Sequence, residues 1–212
     1  MLTAETQKEP RKTARTSKDG GTAPGGLVLP ARIANMPGLP DVLDAKRWEK
    51  TDHQKVVVEL NGKFGRGLLA IADLPKGEVI AEFDGNIYTA RLSSLLPNDP
   101  PLCVRDHAVQ LSETEYRYSK YGVLMNHSCK PNCGINGIGA FFRLVTMRPI
   151  KAGQSLTFDY EMSEDSDWRM PCKCGCPNCR KVIGAYTQMP PEVRAKYKGH
   201  IASYLVEKYG ET

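Results

Sequence analysis

Residues 126–132 read Asn-His-Ser-Cys-Lys-Pro-Asn, and residues 172–179 read Cys-Lys-Cys-Gly-Cys-Pro-Asn-Cys. The second stretch holds four cysteines in eight residues, a spacing that strains the geometry of disulfides between neighbours. Closely spaced cysteines are instead typical zinc ligands in a reducing compartment. Together with the single sulfur of Cys129, the cluster predicts one tetrahedral zinc ion that joins two distant parts of the chain.

Composition narrows the class of protein. The 212 residues are 41% hydrophobic and 25% charged, which is enough apolar material for one core and hardly for two. A net charge of +5 without a dense Lys/Arg block gives no reason to expect sequence-specific nucleic-acid binding. The sequence contains no apolar run of about 18 residues and no secretory signal. We therefore expect a soluble, intracellular protein with no membrane partner.

Shifts in composition divide the chain into five predicted regions. A basic, disordered tail covers residues 1–26, where large apolar side chains are almost absent, and a lead-in segment covers 27–54. Residues 55–161 form a β-rich domain, 162–186 a zinc segment and 187–212 a helical extension. The extension carries apolar residues at four-residue spacing, which predicts one packing face of a helix with a weak point at Gly199. These residues are Val193, Tyr197, Ile201, Leu205 and Tyr209.

Short β-rich runs, separated by turn residues such as Asn61-Gly62, dominate the middle of the chain. They cover residues 56–60, 66–72, 78–84, 140–147 and 155–160, with a further candidate at 107–111. The predicted fold class is therefore mostly β with short helices.

Five motifs resemble, in the same order, those of the SET domain, a family of lysine methyltransferases that use S-adenosylmethionine. They are Gly-Arg-Gly-Leu-Leu-Ala at 65–70, Glu-Phe-Asp-Gly at 82–85, the stretch at 126–132, Leu-Thr-Phe-Asp-Tyr at 156–160 and the cysteines of 172–179. A lone G-x-G means little, whereas five ordered motifs are very improbable by chance. The resemblance covers roughly residues 55–184 and implies a SET fold, in which small curved sheets surround a pseudoknot-like crossing of the Asn126 and Tyr160 segments. The pattern looks most like the small stand-alone SET proteins.

The resemblance also implies a binding site for S-adenosylmethionine. Its residues would be Gly65, Arg66, Gly67, Asn126, His127 and Tyr160. Glycines let the backbone approach a bulky ligand, and an Asn-His pair offers both donors and acceptors. Taken alone, the glycines also fit a hairpin turn, and the histidine also fits a satisfied buried side chain.

Tyr160 matches the family's catalytic tyrosine, whose hydroxyl would orient the target amine for direct displacement at the sulfonium methyl group. A free lysine amine has a pKa near ~10.4 and must lose its proton to attack, which a desolvated channel favours. Aromatic walls suit such a channel, because their faces accept an alkylated cation. The candidates are Phe83, Tyr121, Phe158 and Tyr186, with Tyr88 and Tyr118 as further possibilities; each also fits ordinary core packing. Phe83 stands where the family usually has tyrosine, which bears on the number of methyl groups added.

Matching to the post-SET motif assigns the zinc to Cys129, Cys172, Cys174 and Cys179. The zinc would be structural, because four thiolates leave no open position, and it would pull residues 172–186 over the active cleft. Cys176 departs from the common pattern and leaves an alternative ligand set open. Cys103 and Cys133 are expected to be free, buried thiols.

The function implied is S-adenosylmethionine-dependent N-methylation of lysine in a protein or peptide, on a histone or another basic protein. The protein would lie in the nucleus of a eukaryote or the cytoplasm of a bacterium. The alternative is a catalytically weak, zinc-stabilised interaction module. An acidic stretch after Tyr160 either attracts a basic peptide or forms a solvated loop: Glu161, Glu164, Asp165 and Asp167. A further hypothesis is self-methylation of Lys12 or Lys18 in the tail.

Overall fold

The fold is taken from a computed structural model that describes residues 48–85, 87–89, 108–117, 119, 121–138 and 141–210. The predicted tail, most of the lead-in segment and the hypothesis on Lys12 and Lys18 lie outside these residues. So do Cys103 and Tyr118, and the side chain of Tyr88 is also outside the description.

Thirteen short strands form four small sheets among the described residues. In chain order they are β1 Trp48–Lys50, β2 Val56–Gly62, β3 Gly65–Ala70, β4 Val79–Glu82, β5 Ile87–Thr89, β6 Val109–Gln110, β7 Glu115–Arg117, β8 Asn126–His127, β9 Cys133–Ile138, β10 Phe141–Thr146, β11 Ser155–Phe158, β12 Met170–Pro171 and β13 Val182–Ile183. The sheets have the orders β1-β2-β3-β11-β8, β4-β10-β9, β5-β7-β6 and β12-β13.

The hairpin of β2 and β3 forms one wall of the core. Val56, Val57 and Val58 are all nearly inaccessible, so this apolar run is covered on both faces of the sheet rather than alternating with solvent. Val58 pairs with Leu68 in an antiparallel register. Next to β3 lies β11, whose Leu156 pairs with Leu68 and completes the buried surface.

The crossing predicted between the Asn126 and Tyr160 segments is present. Strands β8 and β11 are parallel, with Asn126 opposite Thr157 and His127 opposite Phe158. The buried side chain of Asn132 holds the crossing: its Oδ1 accepts from the Thr157 amide at 2.8 Å and its Nδ2 donates to the Ser155 carbonyl at 2.9 Å. These bonds satisfy backbone groups that a two-residue strand leaves unpaired. The predicted SET fold class is confirmed.

The C-terminal extension contains two short helices instead of one long one. They are α1 Pro191–Arg194, followed by a 3₁₀ turn at Ala195–Tyr197, and α2 Ser203–Tyr209. The break falls at Gly199, whose φ of 74° is left-handed and incompatible with a continuing α-helix. The predicted apolar face still packs on the core, with Tyr197 and Leu205 buried, whereas Tyr209 is 39% exposed.

The extension is anchored by hydrogen bonds to the β-rich domain, where the Ile135 amide donates to the His200 carbonyl at 3.0 Å, and to the start of the zinc segment. The Ala202 amide donates to the Met162 carbonyl at 2.9 Å, and the Tyr204 hydroxyl donates to the Ser163 carbonyl at 2.7 Å. Among the described residues, the longest helix has seven residues, and none could cross a bilayer.

Candidate active site and metal centre

Tyr160 opens a 3₁₀ turn, Tyr160–Met162, directly after β11. Its amide donates to His127 Nδ1 at 3.3 Å, and its hydroxyl donates to the Met125 carbonyl at 3.2 Å. Its ring packs edge-on against His127, with centroids 5.2 Å apart, and against Phe158 at 4.9 Å. Burial raises the pKa of Tyr160 to about 12, so the phenol is protonated at neutral pH. The hydroxyl can therefore donate or accept a hydrogen bond, but it cannot serve as a base.

Asn126 lies against the glycine motif. Its Nδ2 donates to the Arg66 carbonyl at 3.1 Å, and a Cβ at Gly67 would lie only 2.7 Å from that nitrogen. Gly67 thus permits a close approach that no other residue allows. Gly65 differs, because its φ of +81° marks a turn and open space surrounds its Cβ position. The Arg66 side chain is exposed and pairs with Glu49 at 3.1 Å.

The four predicted channel residues occupy different places. Phe158 contacts Tyr160 directly. Phe83 is 2% exposed, and its ring lies so close to Gly122 that a Cβ there would be 2.7 Å from Cζ. Tyr121 is half-buried, and its hydroxyl donates to Asp52 at 3.3 Å.

Tyr186 is the fourth channel candidate, and it lies on the side of the C-terminal extension. It is fully buried. Its ring lies 5.8 Å from the ring of Tyr209 and 5.1 Å from the Arg194 guanidinium. Of the four candidates, Phe158 is the one with a described ring contact to Tyr160, and the channel itself stays a prediction.

Three of the four predicted zinc ligands, Cys129, Cys172 and Cys174, come together from two distant segments, and the fourth member of the group is His127 rather than Cys179. One ligand atom each from His127, Cys129, Cys172 and Cys174 lies within 4.8 Å of the others. Cys129 Sγ and Cys172 Sγ are 3.6 Å apart. Cys179 packs against the same cluster, with its Sγ 3.8 Å from the Cys172 carbonyl. Soft sulfur donors in a partly buried pocket fit zinc.

Two further contacts bear on the ligand set. Cys176 Sγ is 3.5 Å from Cys174 Sγ, so the structure keeps Cys176 as an alternative to Cys179. His127 is buried, which lowers its pKa to about 4, and the imidazole is neutral at pH 7. Because Nδ1 accepts the Tyr160 amide, Nε2 carries the proton and faces Cys129 Sγ at 3.3 Å. This tautomer makes His127 a hydrogen-bond donor to the sulfur rather than a ligand.

Sequence reasoning missed the buried charges beside Tyr160. Asp159 is fully buried, and its Oδ1 lies 2.7 Å from Nη2 of Arg180. The same nitrogen lies 3.0 Å from Glu161, and the Tyr197 hydroxyl donates to Asp159 Oδ2 at 3.3 Å. Asp159 is part of the Leu-Thr-Phe-Asp-Tyr match and Arg180 directly follows Cys179, but neither position signals burial.

Three of the four acidic residues after Tyr160 have partners within the molecule, whereas Asp167 is exposed. Glu161 is buried against Arg180. The Asp165 side chain is 6% exposed and pairs with Lys208 at 3.0 Å, while Glu164 accepts from the Ser166 amide. Of these three carboxylates, that of Asp165 contacts the C-terminal extension.

One residue near the cluster is strained. Lys181 has a φ of 69°, and its carbonyl accepts from the Cys172 amide at 2.7 Å. A left-handed non-glycine residue costs about 1–2 kcal/mol, whereas glycine loses about 0.5–1 kcal/mol in unfolded-chain entropy. We expect Lys181→Gly to raise the free energy of unfolding by on the order of 0.5 kcal/mol, measured by denaturant unfolding of the zinc-loaded protein. Lys181→Ala is the control, since it removes the amine but keeps the strain. Equal unfolding free energies for the two variants would contradict the prediction.

Comparison with known proteins gives consistent matches. A family model described as "SET domain" matches residues 65–161. A histone-lysine N-methyltransferase, H3 lysine-36 specific, of Coccidioides immitis is 30% identical over 161 residues, covering 71% of this chain and 16% of that protein. A protein of the same description from Schizosaccharomyces pombe is 33% identical over 153 residues, covering 68% of this chain and 19% of that protein.

A third relative is the human histone-lysine N-methyltransferase SETD2, which is 29% identical over 161 residues and covers 68% of this chain. The chain spans 6% of that protein's length, so it corresponds to a small part of each of these relatives.

Proposed function

Since residues 65–161 of this chain belong to the SET domain family, we propose that it is an S-adenosylmethionine-dependent protein-lysine N-methyltransferase. The observation that carries the proposal is the parallel pairing of β8 with β11, which places Asn126 and His127 of one family motif beside Tyr160 of another. The tyrosine is held at both ends, by its amide and by its hydroxyl. A fixed hydroxyl next to a backbone cradle suits a reaction that depends on positioning.

The cofactor would be held by the backbone of Gly65–Gly67, by the Asn126 amide and by the main chain at His127. The close approach at Gly67 supports this fit, because any side chain there would displace Asn126 from the glycine motif. When bound, S-adenosylmethionine supplies a methyl group activated by a positively charged sulfonium. Tyr160 accepts a hydrogen bond from the substrate amine and orients its lone pair. The apolar ring of Phe158 excludes water and favours the neutral amine.

The zinc would be held by Cys129, Cys172, Cys174 and Cys179, with His127 donating its Nε2 proton to the Cys129 sulfur. Support comes from the sulfur cluster itself and from the tautomer that the Tyr160 amide imposes on His127. With four thiolates and no open position, the ion would be structural.

The substrate we propose is a lysine in a basic protein, with the histone H3 tail as the leading candidate. The relatives are named for H3 lysine-36, which would place the protein at chromatin in a eukaryotic cell. A surface depression of about 330 Å³ beside Tyr121 is lined by the carboxylates of Asp52, Glu82 and Asp84. Negative charge there suits a basic peptide.

The test is transfer of labelled methyl from S-adenosylmethionine to whole histones, to a lysine-peptide array and to H3 with arginine in place of lysine-36. Transfer to lysine that Tyr160→Phe abolishes is the expected result. If H3 with arginine in place of lysine-36 were not labelled, lysine-36 would be the methylated position. If the zinc-loaded chain bound the cofactor but labelled no lysine in any sample, the interaction-module alternative would replace the enzyme.

The glycine cradle gives a separate prediction. Gly67→Ala should weaken S-adenosylmethionine binding by about tenfold or more, because the new Cβ displaces Asn126, at a cost of roughly 1–3 kcal/mol. Isothermal titration calorimetry would measure the Kd for S-adenosylmethionine in both proteins. Gly77→Ala is the control: Gly77 has a φ of +83° and an open Cβ position, so this variant tests glycine loss without a clash at Asn126. A Kd for Gly67→Ala equal to that of wild type would exclude Gly67 from the binding site for S-adenosylmethionine.

A further inference from the structure

The carboxylate of Asp159 is the meeting point of separate chain segments. It is fully buried, and three donors surround it: the Glu161 amide at 3.3 Å, Arg180 Nη2 at 2.7 Å and the Tyr197 hydroxyl at 3.3 Å. His127 Nδ1 lies 3.5 Å from the same carboxylate, but it accepts the Tyr160 amide and has no proton to donate to Asp159. A buried charge persists only when it is paired and hydrogen-bonded. The position of Asp159 therefore depends on these three donors.

The partners come from distant parts of the sequence. Arg180 belongs to the zinc segment, and its amide also donates to Cys129 Sγ at 3.4 Å. Tyr197 belongs to the C-terminal extension, and its hydroxyl also lies 3.4 Å from the Cys129 carbonyl. Both residues thus bridge the metal cluster and Asp159.

Arg180 uses one nitrogen for both carboxylates. Its Nη2 contacts Asp159 and Glu161, while Nε and Nη1 are buried without a hydrogen-bond partner in the described part of the chain. A single shared nitrogen fixes the two carboxylates relative to each other, and these two carboxylates flank Tyr160 in the sequence. A shift of Arg180 would therefore move the turn that carries Tyr160.

We propose that Arg180 and Tyr197 are positioning residues for methyl transfer: by holding Asp159 they set the 3₁₀ turn and thus the hydroxyl of Tyr160. The proposal rests on the proposed methyltransferase function. It assigns the C-terminal extension and the zinc segment to the assembly of the active site. Neither residue touches the reacting atoms, but a displacement of about 1 Å at a reacting group can reduce a rate by about 10²-fold.

The primary test is Tyr197→Phe, which keeps the ring and removes the hydroxyl that contacts both Asp159 and the Cys129 carbonyl. We expect kcat to fall by about tenfold or more, with KM for a peptide substrate and Kd for S-adenosylmethionine within about twofold of wild type and with unchanged zinc content. Tyr209→Phe is the matched control, because it also removes a tyrosine hydroxyl of the C-terminal extension that donates to a carboxylate, that of Asp165, outside the turn that carries Tyr160. An unchanged kcat in Tyr197→Phe would overturn the proposal.

Arg180 provides a second comparison. Arg180→Lys keeps the charge and should retain more activity than Arg180→Gln, which leaves Asp159 and Glu161 facing each other without a cation. Equal kcat for the two variants, with both folded and zinc-loaded, would contradict positioning by charge. If Arg180→Gln does not fold, Tyr197→Phe alone tests whether the contacts to Asp159 position Tyr160.

A readout independent of activity separates this inference from the proposed function. The Tyr160 amide, which donates to His127, should exchange its hydrogen at least about fivefold faster in Tyr197→Phe than in wild type, as measured by NMR. Faster exchange supports the network even if wild type methylates nothing, in which case only the enzyme proposal fails. Unchanged exchange overturns the network whatever the activity.

Discussion

Tyr160→Phe is expected to reduce kcat for methyl transfer by about 100-fold or more, since loss of a single well-placed hydrogen-bonding group in an active site costs about that much. The structure gives the reason, because the Tyr160 hydroxyl is the polar group of a ring enclosed by His127 and Phe158. With its pKa raised by burial to about 12, the phenol stays neutral and its role is orientation. Binding of S-adenosylmethionine should change little, and single-turnover kinetics with separate calorimetry would distinguish the two effects.

Stability must be separated from chemistry in this experiment. Removing the hydroxyl leaves the Met125 carbonyl without its donor, which costs about 1–3 kcal/mol. Tyr204→Phe leaves the Ser163 carbonyl without its donor in the same way and provides the comparison for this loss of stability, which should be similar. A Tyr160→Phe protein that is folded and retains more than about a tenth of the activity would contradict a catalytic role for the hydroxyl.

Cys172→Ser is expected to abolish zinc binding and with it methyl transfer. Structural zinc contributes on the order of 10 kcal/mol to the folding of small sites. Cys172 is a buried centre of the cluster, and β12 and β13 form a ladder of only two residue pairs beside it. Without the ion, residues 170–186 should become accessible to protease, and Arg180 should lose its hold on Asp159. Atomic emission for zinc and limited proteolysis measure the two effects.

Matched cysteine variants sharpen the result. Cys133 is fully buried in the main core, outside the sulfur cluster, so Cys133→Ala should keep one zinc per chain. Cys179→Ser and Cys176→Ser compare the two candidates for the fourth ligand: we expect zinc loss for Cys179→Ser and retention for Cys176→Ser. The opposite pattern would exchange their assignments. Full zinc retention in Cys172→Ser would exclude the cluster as a zinc site.

Much of the fold was predictable because its signals are local. The runs at 56–60, 66–72 and 155–160 became β2, β3 and β11, since short apolar runs between turn residues favour strands, with the β-branched valines adding to this preference in β2. The C-terminal extension forms two short helices rather than one, and the break falls at Gly199, the predicted weak point. Four-residue spacing predicts a face, but Gly199 allowed the backbone to turn and let both halves of that face reach the core.

The environment of the acidic stretch could not be predicted from its local sequence. Four carboxylates in seven residues resemble a solvent-facing surface by composition. Two of them instead lie buried against Arg180 and Lys208, which are 19 and 43 positions away from their partners. The pairing depends on how the extension folds back, and composition does not contain that information.

The sequence by itself determined the residue types of the site: ordered motifs identify the family, and sulfur spacing predicts a metal, because short-range spacing limits which side chains can act together. Only the tertiary structure decided which distant groups meet at Tyr160. A two-residue parallel pairing joins β8 to β11, the Tyr160 amide sets the tautomer of His127, and Arg180 with Tyr197 holds Asp159. These contacts arise from the burial of charged and polar groups, which must find partners wherever the chain brings them.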